Sequence, residues 1–330
     1  MEIVRSTIAE AEILQKLKDN YSCCTPGSLC MFEYRGVNDI YRLNTGKDTF
    51  FLKFYARKDI DRNAIQAEVE IVNHLKRSGL SVAYPIPMMN DQYLLSIETP
   101  EGTRFGVLFS KAEGIPCNNN LLDEQETAEI GRLISNTHIL LDAIPNHLDR
   151  WKLDDQTFLD RSIEILESYH NFLPHFDLLF LKDVVRELKH QIQANCAGWN
   201  WGLCHGDYFT GNIYRKENGE LTLFDFDFCG YGWRAYDVSP FVGNFSSGVG
   251  EEAIAYRKKR LDSFVKGYQH AGGLSDSEIE AIYKVFVPFR RIFNLGYLYE
   301  VLHYVWGNKI RHDQITHDTR LLQEWVDYYW

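Results

Sequence analysis

His205-Gly206-Asp207-Tyr208-Phe209-Thr210-Gly211-Asn212, followed by Phe224-Asp225-Phe226-Asp227, is the stretch of this 330-residue chain that decides its fold. Between the two runs stands Asn218-Gly219, the strongest short hairpin signal in the sequence. A two-residue turn centred there pairs Glu217 with Glu220 and Lys216 with Leu221, and continuing outward sets Asn212 opposite Asp225. Cross-strand partners have Cβ atoms roughly 5 Å apart on one face of a ribbon. An amide oxygen beside a carboxylate makes a hard-oxygen site suited to magnesium held with nucleotide phosphates. Asp207, in the loop feeding the first strand, is placed to accept a proton from an attacking hydroxyl. Taken singly, each residue is more simply a cap on local backbone. Grouped around one hairpin, the three point to chemistry.

Phosphoryl transfer asks a protein for positioning and charge neutralisation rather than covalent help. In protein kinases a base aspartate is followed five positions later by an asparagine and, after a hairpin, by a metal-binding aspartate. Asp207, Asn212 and Asp225 have that spacing. A second signal lies upstream, where Lys53 interrupts the apolar strand Phe50 to Tyr55. In the helix that follows, Ile65, Val69 and Val72 mark the buried stripe, Glu68 falls within it and Glu70 falls on the polar face. A carboxylate on an apolar face needs a partner. Lys53 is the natural one, giving the pair with which kinases hold the α- and β-phosphates.

Outward from these runs the chain changes character once. A helix is predicted from Thr7, with Thr7 and Glu10 in a capping-box pattern. Strands follow at 29–34, 39–43 and 49–55, the last two joined by a turn at 44–47. Next come a helix over 61–77, ended by Ser78-Gly79, and strands at 92–97 and 105–109. From Asp123 helical patterns dominate, with Ile130, Leu133, Ile134, Thr137 and Leu141 on one face, and one hairpin interrupts them at 213–228. The predicted class is α+β, a bilobal protein-kinase-like fold. Residues 1–109 form a small antiparallel β lobe with one key helix, 110–116 a hinge, and 117–330 a large, mainly helical lobe.

Composition excludes other classes. The formal charge of -11 argues against a nucleic-acid partner, which needs basic surface. It suits a cationic acceptor and serves solubility equally well. The seven cysteines form no CxxC pair, so neither a disulfide framework nor a zinc ribbon is expected, and a reducing, cytoplasmic setting is. The start lacks a signal-peptide pattern, and no apolar run reaches the roughly 20 residues of a membrane span. Cys204 and His205 have no second Cys/His pair at ligand spacing; His205 is expected to brace the loop. The aromatic stretch 286–306 is read first as core and second as an acceptor wall, while Arg290-Arg291 would meet an acidic substrate or pair with carboxylates.

The HGDxxxxN run at 205–212 and the later Asp225-Phe226-Asp227 resemble the paired signatures of the aminoglycoside phosphotransferase and choline kinase superfamily. The run Gly230 to Asp237 resembles that family's segment ending in a structural aspartate, and Asn136-Thr137-His138 resembles it more distantly. The resemblance spans residues 28–305 and implies roles. Asp207 would be the base, Lys53 would contact the phosphates with Glu68 orienting it, and Asn212 and Asp225 would hold Mg2+. The loop Arg35 to Asp39, with Gly36 and Asn38, would cover the nucleotide, and the backbone at Ser110 and Ala112 would read the adenine edge. That loop has one glycine where protein kinases have three, which leaves GTP open beside ATP as donor. Asp227 would approach a second metal or cap the loop. The implied activity is transfer of the γ-phosphate to a small-molecule hydroxyl, with an aminated antibiotic as the specific form. A metabolite kinase for choline, methylthioribose or homoserine, a protein Ser/Thr kinase resembling stress response kinase A, and an inactive nucleotide-binding module are the alternatives.

Overall fold

The computed structural model describes residues 3–56, 60–117, 122–145, 148–170, 176–243, 248–269 and 272–330; of 303–306 and 308 only the backbone is described. The chain divides into two compact units, Met1–Glu113 with Thr222–Phe224, and Gly114–Leu221 with Asp225–Trp330.

In the first unit, α1 (Glu10–Asn20) precedes β1 (Leu29–Arg35), β2 (Asp39–Asn44) and β3 (Thr49–Phe54); α2 (Arg62–Arg77), β4 (Leu95–Thr99) and β5 (Gly102–Ser110) follow. The five strands form one antiparallel sheet in the order β1-β2-β3-β5-β4. Alternation along β3 divides its side chains between two cores. Leu52 and Phe54 pack with Ile13, Leu17 and Tyr21 of the α1 side, while Val107, cross-strand from Lys53, packs with Ile65 and Val69 of α2. Asp61 caps α2 by accepting from Ala64 N–H at 2.9 Å, and Gly79 at φ 87° ends it. The predicted capping box at Thr7 does not form. The helix starts at Glu10 with Ala9 at the N-cap. Glu10 accepts Phe32 N–H at 2.7 Å, and Thr7 Oγ1 accepts from Arg35 at 2.8 Å, so tertiary partners took both side chains.

The second unit opens with β6 (Ile115–Pro116) and α3 (Glu124–Asp142), whose capping box joins Asp123 and Glu126. It continues through β7 (Lys152–Leu153), α4 (Arg161–His170), α5 (Leu178–Asn195), β8 (Trp201–Cys204) and β9 (Ile213–Arg215). After β10 (Leu221–Leu223), whose last two residues belong to the first unit, come β11 (Gly230–Trp233), α6 (Arg234–Gly243) and α7 (Glu251–Gly267). Then follow α8 (Asp276–Ala281), α9 (Val287–Phe293) and α10 (Tyr299–Tyr329). A small sheet, β7-β11-β8, was not anticipated from the sequence; its strands are two to four residues long, and β8 and β11 carry glycines rather than an alternating pattern. The aromatic stretch is core where its side chains are described: Phe286, Phe289, Phe293 and Tyr297 are buried. Its last four side chains, 303–306, lie outside the described residues.

The hairpin after Asn212 departs from expectation. Lys216 N–H donates to Glu220 O at 2.8 Å and Gly219 N–H to Lys216 O at 3.0 Å. The loop therefore has three residues, 217–219, with Gly219 at φ 88° supplying the left-handed position of a bulge. Lys216 pairs with Glu220 rather than Leu221, so the register argument that set Asn212 opposite Asp225 is one residue out. Asn212 instead ends a short 3-10 turn, Thr210–Asn212, ahead of β9.

Candidate active site

The first unit carries an ion pair where the sequence suggested one. Lys53 Nζ lies 2.7 Å from Glu68 Oε1, both side chains being buried. Lys53 also sits over the rings of Tyr55 and Phe109, 4.8 and 5.3 Å from their centroids. The ammonium is thus fixed by one carboxylate and two aromatic faces. Gly36 N–H donates to Asn38 O at 3.0 Å, making a tight turn between β1 and β2. Asn38 is buried and its Oδ1 accepts Ala56 N–H at 3.3 Å, so its side chain braces the turn. Ser110 N–H donates to Tyr84 O at 2.8 Å, and Ser110 Oγ accepts Tyr84 N–H at 2.9 Å. Ala112 follows two residues beyond the end of β5.

The second unit carries the carboxylates. Asp207 is held through both oxygens: Arg290 Nη2 bonds Oδ1, and Asn212 Nδ2 bonds Oδ2 at 3.2 Å and the Asp207 carbonyl at 3.1 Å. Arg290 Nη1 also donates to Gly206 O at 2.7 Å and Tyr236 OH at 3.0 Å, so the guanidinium is itself fixed. Burial pushes the Asp207 carboxyl above its ordinary value; Arg290 and Asn212 pull it back, and Asp227 pushes it further up. Asn212 spends its amide nitrogen on Asp207, so its oxygen is the atom a metal would take. Asp225 is exposed and adopts φ 65°; among the described residues only Asp91 shares a positive φ without being glycine. Aspartate is among the few residues other than glycine that take this left-handed conformation readily. Asn212 Oδ1 and the Asp225 carboxylate are each a hard oxygen of the kind a divalent cation takes.

The loop bearing Asp207 is pinned from beneath. Asp237, fully buried on α6, accepts His205 N–H and Gly206 N–H, each at 2.7 Å. His138 of α3 lies 2.9 Å from Asp237 Oδ2 and 2.7 Å from Tyr268 OH. Burial raises the Asp237 carboxyl, against His205, the two amides and Arg234. His205 braces the loop as expected: its Nδ1 accepts Asp207 N–H at 3.2 Å. Gly206 stands at φ 84°, and a Cβ there would come within 2.2 Å of Phe228 O, so only glycine fits. Arg150, buried, donates to Cys229 O and Asp227 O at 2.6 Å each and fixes the segment after Asp225. Sequence reading missed Arg150 and left Arg290 undecided; neither stands at a fixed spacing from the residues it holds.

Each unit thus carries its own polar cluster: a buried lysine–glutamate pair in the first, and in the second an aspartate held by arginine and asparagine on a histidine-braced loop. A family model described as the phosphotransferase enzyme family matches residues 36–281, and the chain belongs to that family. It is similar to a homoserine kinase of Agrobacterium fabrum, 25% identical over 264 residues, covering 76% of this chain and 74% of the relative. Among solved structures, an amicoumacin kinase in complex with AMP-PNP and Ca2+ superposes with a TM-score of 0.74 at 20% identity, covering 97% of this chain and 94% of that one. A microcompartment-associated aminopropanol kinase gives 0.73 at 16% identity, covering 94% and 95%. The fold is thus protein-kinase-like, and the chain is an enzyme of the small-molecule kinase and phosphotransferase class. Among the described residues, no helix is long and apolar enough to cross a membrane.

Proposed function

We propose that this chain transfers the γ-phosphoryl group of ATP, with Mg2+, to a hydroxyl of a small amine-bearing molecule. The observation that carries the reading is Asp207, held through Oδ1 by Arg290 and through Oδ2 by Asn212. In this scheme the acceptor oxygen attacks the γ-phosphorus as its proton passes to Asp207, and the bond to the β–γ bridging oxygen breaks to release ADP. Asn212 and Asp225 would hold the metal, which neutralises charge building on the phosphates when bound. Lys53, oriented by Glu68, would bind the α- and β-phosphates. The turn at Gly36 and Asn38 would cover them, and the Ser110 carbonyl and Ala112 backbone would meet the adenine, with GTP the alternative donor. Asp227 would serve the same loop through its field on Asp207.

The amine is supported by the names of two similar proteins, since homoserine and aminopropanol each carry an amine and a hydroxyl. The net charge of -11 favours the approach of a cation such as aminopropanol and does not distinguish against zwitterionic homoserine. An aminated antibiotic is the larger acceptor of the same chemistry. Seven free thiols suit a reducing compartment, and the cytoplasm is the location this reading proposes. The test is mass detection of phosphorylated product from Mg-ATP with homoserine, aminopropanol, choline, methylthioribose and aminoglycosides, alongside a basic protein. Phosphate on one amine-bearing hydroxyl compound supports the reading. Phosphate on the basic protein or on the chain itself replaces it with a protein kinase, and AMP-PNP binding without transfer to any acceptor replaces it with a binding module.

A further inference from the structure

The segment ahead of α1 is stitched to the turn at Arg35 to Asp39, and the stitching centres on one carboxylate. Asp39 is completely buried and meets three guanidinium groups. Arg5 Nη2 lies 2.9 Å from Oδ1, Arg35 Nε 2.7 Å from Oδ1 and Arg104 Nη2 2.7 Å from Oδ2. Arg5 has a second task, since its Nη1 donates to Gly36 O at 3.1 Å. The next residue extends the clamp: Ser6 O accepts from Arg35 and from Arg104, each at 3.1 Å, while Ser6 N–H and Oγ bond Glu101 at 2.9 and 3.0 Å. Two residues on, Ile8 exchanges hydrogen bonds with Tyr41 OH, at 3.1 and 2.7 Å.

A surface ion pair would contribute little to order. These guanidiniums differ because Arg5 and Arg104 are themselves 8% and 7% exposed and grip a carboxylate with no solvent access. Breaking such an arrangement leaves an uncompensated buried charge. The clamp therefore fixes the one-glycine turn from outside the turn. The cluster also sets three cations against Asp39 and Glu101, which leaves a positive excess beside Gly36.

We infer that the segment ahead of α1, through Arg5, is a positioning element of the nucleotide site. Arg5 acts by holding Gly36 and Asp39 so that the turn is preorganised for the phosphates of ATP. The inference rests on the reading of residues 35–39 as the nucleotide loop, and its test separates the two. Titration calorimetry of the full chain with AMP-PNP and Mg2+ needs no acceptor. Arg5→Gln should bind AMP-PNP about tenfold more weakly, the size expected from losing hydrogen bonds to a charged group. Arg5→Lys keeps the charge without the fork and should recover part of the affinity. Gly36→Val tests the loop itself: a Cβ there meets nothing closer than the Tyr34 ring at 3.4 Å, and its melting temperature checks that the fold is kept. Weaker binding in Gly36→Val with unchanged affinity in Arg5→Gln overturns the inference and leaves the loop assignment standing. Unchanged affinity in both overturns both. A lowered melting temperature in Arg5→Gln without loss of affinity shows the segment to be structural only, and also overturns it. If Arg5→Gln fails to fold, Arg5→Lys decides the matter, since affinity equal to wild type contradicts a role for the fork.

Discussion

Asp39 in the first unit and Asp207 in the second each face arginine, yet their proton affinities move in opposite directions. Burial alone would raise both. For Asp39 that push is outweighed by hydrogen bonds from Arg35 and Arg104 and by the charge of Arg5, and its carboxyl is held below the ordinary value. Asp207 has one guanidinium, and Asp227 adds a like charge nearby, so its carboxyl ends above the ordinary value. The difference separates two uses of a buried acid. Asp39 is saturated with donors and holds structure. Asp207 is left with an appetite for a proton, which is what a general base needs.

Exchanging each aspartate for asparagine is the strongest way to break the comparison. Asp207→Asn should lower kcat by about 10²- to 10⁴-fold, the usual share of general-base catalysis. Its melting temperature should fall less than that of Asp39→Asn, because a single guanidinium, that of Arg290, loses a charged partner. Asp39→Asn should do the reverse. Denaturant unfolding should show a loss of about 3–5 kcal/mol, since three guanidiniums lose their shared partner. Its kcat at saturating ATP should drop less than tenfold. Equal behaviour of the two variants would erase the distinction.

Arg290→Met comes next. Without the guanidinium, Asp207 Oδ1, Gly206 O and Tyr236 OH lose their common partner. Turnover should fall roughly 10- to 100-fold while AMP-PNP affinity stays as in wild type, the mark of an interaction used in the chemical step. A KM effect alone would assign Arg290 to acceptor binding instead.

A smaller effect sharpens the contrast through pH. Asp39 has a depressed folded-state pKa, so the stability it contributes is present above the ordinary carboxylate value and is lost as pH falls through the folded one. Thermal unfolding should therefore show a wild-type stability loss at about pH 4 and below that is absent in Asp39→Asn. Gly219→Ala should have the smallest effect. At φ 88° it should cost about 1 kcal/mol in unfolding experiments and leave Asp207 chemistry in place, because the turn is distant in sequence from the base.

What could be read from the chain follows the range of the interactions. Lys53 and Glu68 were legible because strand alternation and a helical stripe each set one residue against its surroundings. The Asp207–Asn212 contact joins residues five apart and depends on local loop geometry. The hairpin register failed by one residue because Asn218-Gly219 serves both a two-residue turn and a three-residue loop with a bulge. Which one forms depends on where Gly219 takes its left-handed position. The arginines were illegible for a different reason. Arg290 lies 83 residues from Asp207, Arg150 77 from Asp227, and Arg104 65 from Asp39. Guanidinium groups reach their partners through tertiary packing, and no spacing rule announces them. His138 shows the middle case: its segment resembled a family feature, and the structure supplies the reason in its contact with Asp237.

The central claim, that this phosphotransferase uses Asp207 to pass phosphate to a small hydroxyl compound, is tested most directly by acceptor-dependent ADP release from Mg-ATP. Wild type and Asp207→Asn would be assayed side by side with the amine-bearing hydroxyl compounds named above. The account predicts ADP release that rises with one such acceptor and collapses in the variant. Release that ignores every acceptor, or that survives in Asp207→Asn within tenfold of wild type, would contradict it.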